Sequence, residues 1–178
     1  MKRVFLFFSG LFFVSAAIAQ GVSNHEVAAF PVLHRHYYSI NYPASWLVDS
    51  SGFLGGDVFI KSPKQDSLDR FSENVNVFVQ DLKGKGYDLL RMGKESEEQI
   101  RNMVNDAVIV ESRLDTAAST PCYRLSFKGL QGKFSLLTIQ RYYLKEDIGI
   151  AVTFTMEATK EEQFENLSTS ILDSFKWQ

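Results

Sequence analysis

His34 and His36 stand two residues apart, and side chains on an extended segment repeat every two residues, so both imidazoles would point the same way. Such a pair can begin a zinc or copper site. Asp49 or Asp57 would have to approach in space as a third ligand, so a solvated polar segment is the simpler expectation and no metal is assigned. Cys122 is the single cysteine, and nucleophilic work would require a nearby base and a lowered pKa. No sequence signature surrounds it, and a structural thiol is expected. Adjacent carboxylates occur at Glu97-Glu98, Glu146-Asp147 and Glu161-Glu162, but neighbours on a helix do not face each other, so the first and last pairs read as solvated faces rather than acid–base pairs. The run Gly129-Leu130-Gln131-Gly132-Lys133-Phe134 fails the P-loop spacing, and no G-x-S-x-G elbow is present. No catalytic residue and no cofactor are therefore expected.

Aromatic residues carry the stronger hint. Tyr37, Trp46, Phe53, Tyr142 and Tyr143 lie near the ends of expected strands, with Arg141 beside the last two. In an adjacent pair on a strand one ring faces away from the other, and rings left exposed make partner surfaces. These six residues are the sequence candidates for partner binding. Lys128 and Lys133 would add a small basic patch.

Positioning such residues falls to a series of short elements. Tyr38, Ile40 and Tyr42 alternate with polar residues as in a half-buried strand, which Pro43 ends before Trp46-Leu47-Val48. Val58–Ile60 and Asn74–Leu82 are further strands. From Asp88 to Val104 the apolar period becomes helical, although Gly93 weakens that helix. Strands follow over 108–113, 122–128, 134–143 and 148–156. In the last, Ile150, Val152, Phe154 and Met156 oppose the smaller Gly149, Ala151, Thr153 and Thr155, which predicts a central strand covered by a helix. A helix over 160–175 closes the chain. Short turns imply antiparallel pairing. The expected fold class is α+β, an antiparallel sheet of six to eight strands flanked by helices in an α/β/α sandwich.

The N-terminus has a different purpose. Lys2 and Arg3 precede an apolar run, and Ala17-Ile18-Ala19 fits a cleavage site, so residues 1–19 read as a secretory signal peptide cut before Gln20. Residues 20–36 read as a flexible arm, and residues 37–178 as a single domain. The 178-residue chain has a net charge of −2, which argues against a nucleic-acid partner. No integral membrane segment is expected after cleavage.

The stretch Ile40-Asn41-Tyr42-Pro43-Ala44-Ser45-Trp46, the strand Asn74-Val75-Asn76-Val77 and the closing Ile171-Leu172-Asp173-Ser174-Phe175 together resemble PsbP-like domains. That group includes the extrinsic PsbP subunit of photosystem II and the Mog-type Ran-binding proteins. The resemblance implies an antiparallel sheet flanked by helices and a non-enzymatic binding or assembly role. A secretory signal conflicts with a Ran partner. The sequence thus predicts an exported, non-catalytic module, periplasmic or secreted, that binds an envelope protein. A carrier of a small molecule or lipid, with its pocket between sheet and helix, is the alternative.

Overall fold

The structure is a computed structural model and describes residues 30–67 and 69–178. The expected signal peptide, its cleavage point at Ala19/Gln20 and most of the expected arm lie outside the described residues. In chain order the strands are β1 (Val32–His34), β2 (Tyr38–Asn41), β3 (Leu47–Asp49), β4 (Val58–Lys61), β5 (Asn74–Asp81), β6 (Asn105–Asp115), β7 (Cys122–Gln131), β8 (Phe134–Lys145), β9 (Ile148–Glu157) and β10 (Lys176–Trp177). Helix α1 (Leu89–Met103) joins β5 to β6, and α2 (Glu161–Leu172) follows β9. Seven strands form one sheet in the order β3-β4-β5-β9-β8-β7-β6, and a second sheet has the order β1-β2-β10. All pairings are antiparallel.

The alternation along β9 decides the layers. Ile150, Val152, Phe154 and Met156 are buried together with Phe164 and Ile171 of α2 and with Trp46. Phe154 meets the Trp46 ring at 5.9 Å and the Phe164 ring at 6.3 Å. The opposite face carries Ala151 into a separate cluster with Met92 and Ile100 of α1 and Tyr123, Leu125 and Tyr142 of the sheet. Each aliphatic side chain so buried contributes roughly 1.5–3 kcal/mol. Helices on both faces of the sheet make the α/β/α sandwich that the sequence predicts.

The aromatic-Pro-x-x-Trp stretch acts through a tight turn. The Trp46 amide donates to the Pro43 carbonyl at 2.9 Å, turning the chain so that the indole fills the core below α2. The strand before this turn does not join the large sheet. β2 pairs instead with β1 and β10, and the Gln178 amide donates to the Tyr37 carbonyl at 3.0 Å. Within the expected arm, Val32–His34 pair with Asn41, Ile40 and Ser39. The closing helix stops at Leu172, before the expected 175, and Phe175 leads into β10.

Helix α1 begins where Asp88 accepts a hydrogen bond from the Arg91 amide at 2.7 Å, a side-chain cap on the first turn. Gly93 does not interrupt it. A Cβ at Gly93 would lie 2.2 Å from ring atoms of the buried Tyr123, so the missing side chain lets α1 approach β7. Gly149 serves the same face, since a Cβ there would stand 2.7 Å from Leu82 Cδ1. Glu97 then ties the helix to β6 by accepting from the Ser112 hydroxyl at 2.5 Å and from Arg101 at 2.8 Å. These donors, with Lys94, hold its carboxyl at about 2.

Gly93→Ala tests the close approach. Alanine gains about 1 kcal/mol of helix propensity, but the buried ring cannot yield to it. The expected result is a net loss of about 1–3 kcal/mol, seen as a lowered denaturant midpoint. An unchanged or raised midpoint contradicts the packing described.

Candidate functional site

Three of the six sequence candidates lie on β8, which runs between β7 and β9 and has both faces covered. Tyr142 stands opposite Ala151 and turns toward α1, donating to Gln140 Oε1 at 2.8 Å. Tyr143 stands opposite Ile150 on the other face and donates to the Leu172 carbonyl at 3.0 Å, satisfying an otherwise open end of α2. Its ring stacks on Phe175 at 3.8 Å, and Phe175 also stacks on Tyr38 at 5.9 Å. Burial pushes both β8 phenols well above the usual tyrosine range. Arg141 is only 3% exposed, and burial followed by the neighbouring Arg124 lowers its pKa.

The expectation of an exposed surface is thus corrected at Trp46, Arg141, Tyr142 and Tyr143, all of which are buried. One ring of an adjacent pair does face away from the other, but here a helix waits on each side. Tyr37 is exposed and meets His36 edge-on at 4.4 Å. Phe53 belongs to a single 3-10 turn, Phe53–Gly55, away from β8, and its side chain lies outside the description.

His34 and His36 are both exposed. Neither suggested third ligand is grouped with them. Asp57 takes Arg35 at 2.9 and 3.0 Å and the Tyr38 hydroxyl at 2.7 Å, and Arg35 above all holds its carboxyl below the usual range. Asp49 accepts from the Ser51 amide at 2.9 Å. Among the described residues no group of three or more His, Cys, Asp or Glu is placed to hold a metal ion.

Among the described residues, two larger hollows flank the large sheet, one on each side. The first, about 330 Å³, is lined by Asp115, Cys122, Arg124, Tyr143, Asp173, Phe175 and the loop 117–120. Charged residues on β6, β7 and β8 flank it. Arg124 lies 3.2 Å from both Glu111 and Asp115, and Arg113 lies 2.9 Å from Glu111 and 3.5 Å from Asp115. Arg141 reaches only to 3.9 Å from Glu111, and its Nε has no hydrogen-bond partner among the described residues. Three guanidiniums thus share two carboxylates, with Asp173 across the hollow. Cys122 is buried at this hollow, and burial raises its thiol pKa. It rests as a neutral thiol, unsuited to nucleophilic attack. This network escaped the sequence reading, although Glu111, Arg113 and Asp115 alternate along one strand and share a face.

The second hollow, about 240 Å³, opens at the C-terminal end of α1. Thr138, Gln140, Thr153 and Thr155 form its buried floor, with Val104, Phe127 and Leu136 as apolar walls. Met103, Asn105, Leu130 and Gly132 are exposed and form the mouth. Sequence reasoning treated Thr153 and Thr155 only as the small side of β9.

An antiparallel seven-stranded sheet between two helices, with a small sheet closing one side, defines the PsbP-like fold. Among solved structures the chain is similar to cyanobacterial PsbP (CyanoP) from Synechocystis sp. PCC 6803, at TM-score 0.64 and 13% identity, covering 89% of this chain and 98% of that one. It is similar to LpqN, involved in cell envelope biogenesis of Mycobacterium tuberculosis, at TM-score 0.58 and 7% identity over 86% and 92% of the two chains. The Ran-binding protein Mog1p of Saccharomyces cerevisiae gives TM-score 0.57 and 12% identity over 84% and 95%. These identities establish a shared fold. No family model and no curated protein sequence matches the chain.

The state of Cys122 is open to direct measurement. Alkylation of the native protein is expected to be slow at pH 7–8, with a rate that rises only above the ordinary thiol range. An inflection near neutrality would instead mark an activated thiolate.

Proposed function

We propose that the protein is an exported, non-catalytic binding module that docks on a protein of the envelope. Export rests on the charged, apolar and small-residue segments at the N-terminus. Among the described residues no helix is long and apolar enough to cross a membrane. The shared fold supports a binding role, since one of its bearers is a Ran-binding protein and another is involved in envelope biogenesis.

The observation that carries the proposal is the outer edge of the large sheet. β6 is the last strand there, eleven residues long, and it leaves Val110 at 55% and Val108 at 61% exposure. Long exposed edges with apolar residues invite pairing with another chain. The register shifts between Ile109 and Glu111, so Val110 sits at an irregularity beside the charged network. The apolar edge beside a network of arginines and carboxylates suits a partner segment that pairs as a strand and carries polar or charged residues next to apolar ones. Within this reading Arg141 supports the surface from beneath, 3.9 Å from Glu111 of β6, whereas Trp46 and Phe53 belong to the chain around β3 at the opposite edge, and Tyr37, Tyr142 and Tyr143 are not contacts.

Site-specific photo-crosslinking in the exporting host tests the reading. A photoreactive residue at Val110 is expected to give an adduct of one defined mass, lost when Arg124→Glu is added and folding is retained. The same probe at Leu47, 71% exposed near the opposite edge, should not give it. Identical adducts from both positions, or none from either, contradict the proposal.

A further inference from the structure

The hollow at the end of α1 has a floor that protein alone leaves incomplete. Thr155 is 2% exposed, lines the hollow, and its Oγ1 has no hydrogen-bond partner among the described residues. Its cross-strand neighbour is Asn74, whose Oδ1 is likewise unpaired, and the next pair toward the middle of the sheet joins Thr153 to Asn76, whose Nδ2 is unpaired. Both asparagines are buried. Three orphaned polar atoms on adjacent strands cost stability, since each has given up water without gaining a hydrogen bond in exchange. Of these residues Thr155 lines the hollow, where an occupant would complete the hydrogen bonding of its hydroxyl.

We infer that this hollow binds a small uncharged molecule carrying a hydroxyl or primary amide head on an apolar body. The chemistry follows from the lining. No described residue of the hollow is ionisable, so a charged ligand would lose its hydration without a counter-charge. The floor offers the Thr155 hydroxyl, which both donates and accepts and so matches a head that does the same, while Asn74 and Asn76 stand beside it on β5 outside the lining. Gln140 is held in place beside that head, since its Nε2 donates to Thr153 Oγ1 at 3.1 Å and its Oε1 accepts from Tyr142, and its second N–H remains as a further donor. Phe127 and Leu136 supply the apolar wall. A volume of about 240 Å³ exceeds the roughly 150 Å³ that holds a benzene ring. A single ring with a one- or two-atom head therefore fits. The site lies on the opposite face of the sheet from the charged network and does not depend on the protein-binding reading.

Titration of the purified protein, followed by amide chemical shifts, tests the inference with defined probes. Benzyl alcohol and benzamide should give saturable shifts at Thr155, Phe127 and Gly129. Toluene, which lacks the head, should bind about tenfold more weakly, the equivalent of one hydrogen bond. Benzoate and benzylamine should not bind. Thr155→Val should fold at least as stably as the parent, because it removes an orphaned group, yet lose about tenfold in benzyl alcohol affinity, while Thr155→Ser retains it. Equal affinity for toluene and benzyl alcohol overturns the inference. So do shifts confined to the Cys122 face, unchanged affinity in Thr155→Val, or a hollow that takes up water only.

Discussion

A single strand with two unlike faces organises the rest of the molecule. β9 occupies the middle of the large sheet and is paired along its whole length to β8 and from Ile148 to Thr155 to β5. Its bulky side, from Ile150 to Met156, creates the apolar surface on which α2 and the Trp46 indole are buried. On its small side α1 packs chiefly over β6, β7 and β8, with Gly93 making room for the Tyr123 ring and Gly149 for the side chains of Leu82 and Met92. Elsewhere on that side the strand presents hydroxyls. The helices, the aromatic stack around Phe175 and the position of the second hollow all depend on this asymmetry.

The two sides consequently have different chemistry. On the α2 side the outer strands extend past the helix, and the sheet surface there carries Glu111, Arg113 and Arg124 in a charge network. Networks of this kind, held at partly exposed positions, add little to stability but set the sign and orientation of a contact. On the α1 side no described residue of the hollow is ionisable, and its floor carries the Thr155 hydroxyl, which has no hydrogen-bond partner among the described residues. A protein partner on one side and a small ligand on the other are compatible with one fold, because the sheet between them is continuous.

Much of this architecture was legible in the chain. Period-two alternation marked β5 and β9, and the apolar stripe marked α1, because each of these elements buries one face in full. The strands β1 and β10 were not legible. They have three and two residues, too few to show a period, and they exist only because β2 lies between them. The candidate site was harder to read for a related reason. Tyr142, Tyr143 and Arg141 look like surface groups when counted by type, and their burial follows from the place of β8 in the strand order, which local sequence does not encode. Thr155 looks like an ordinary small strand residue until the open end of α1 leaves its hydroxyl facing a hollow.

The two-faced packing of β9 is the claim on which the account stands, and solution NOEs test it most directly. The Phe154 ring should show contacts to the rings of Trp46 and Phe164, while the Gly149 α-protons contact the methyl groups of Leu82 and Met92. Both sets are predicted in the same spectrum. Contacts from Phe154 to Met92 or Ile100 of α1 would place the bulky face on the wrong side of the sheet and contradict the account.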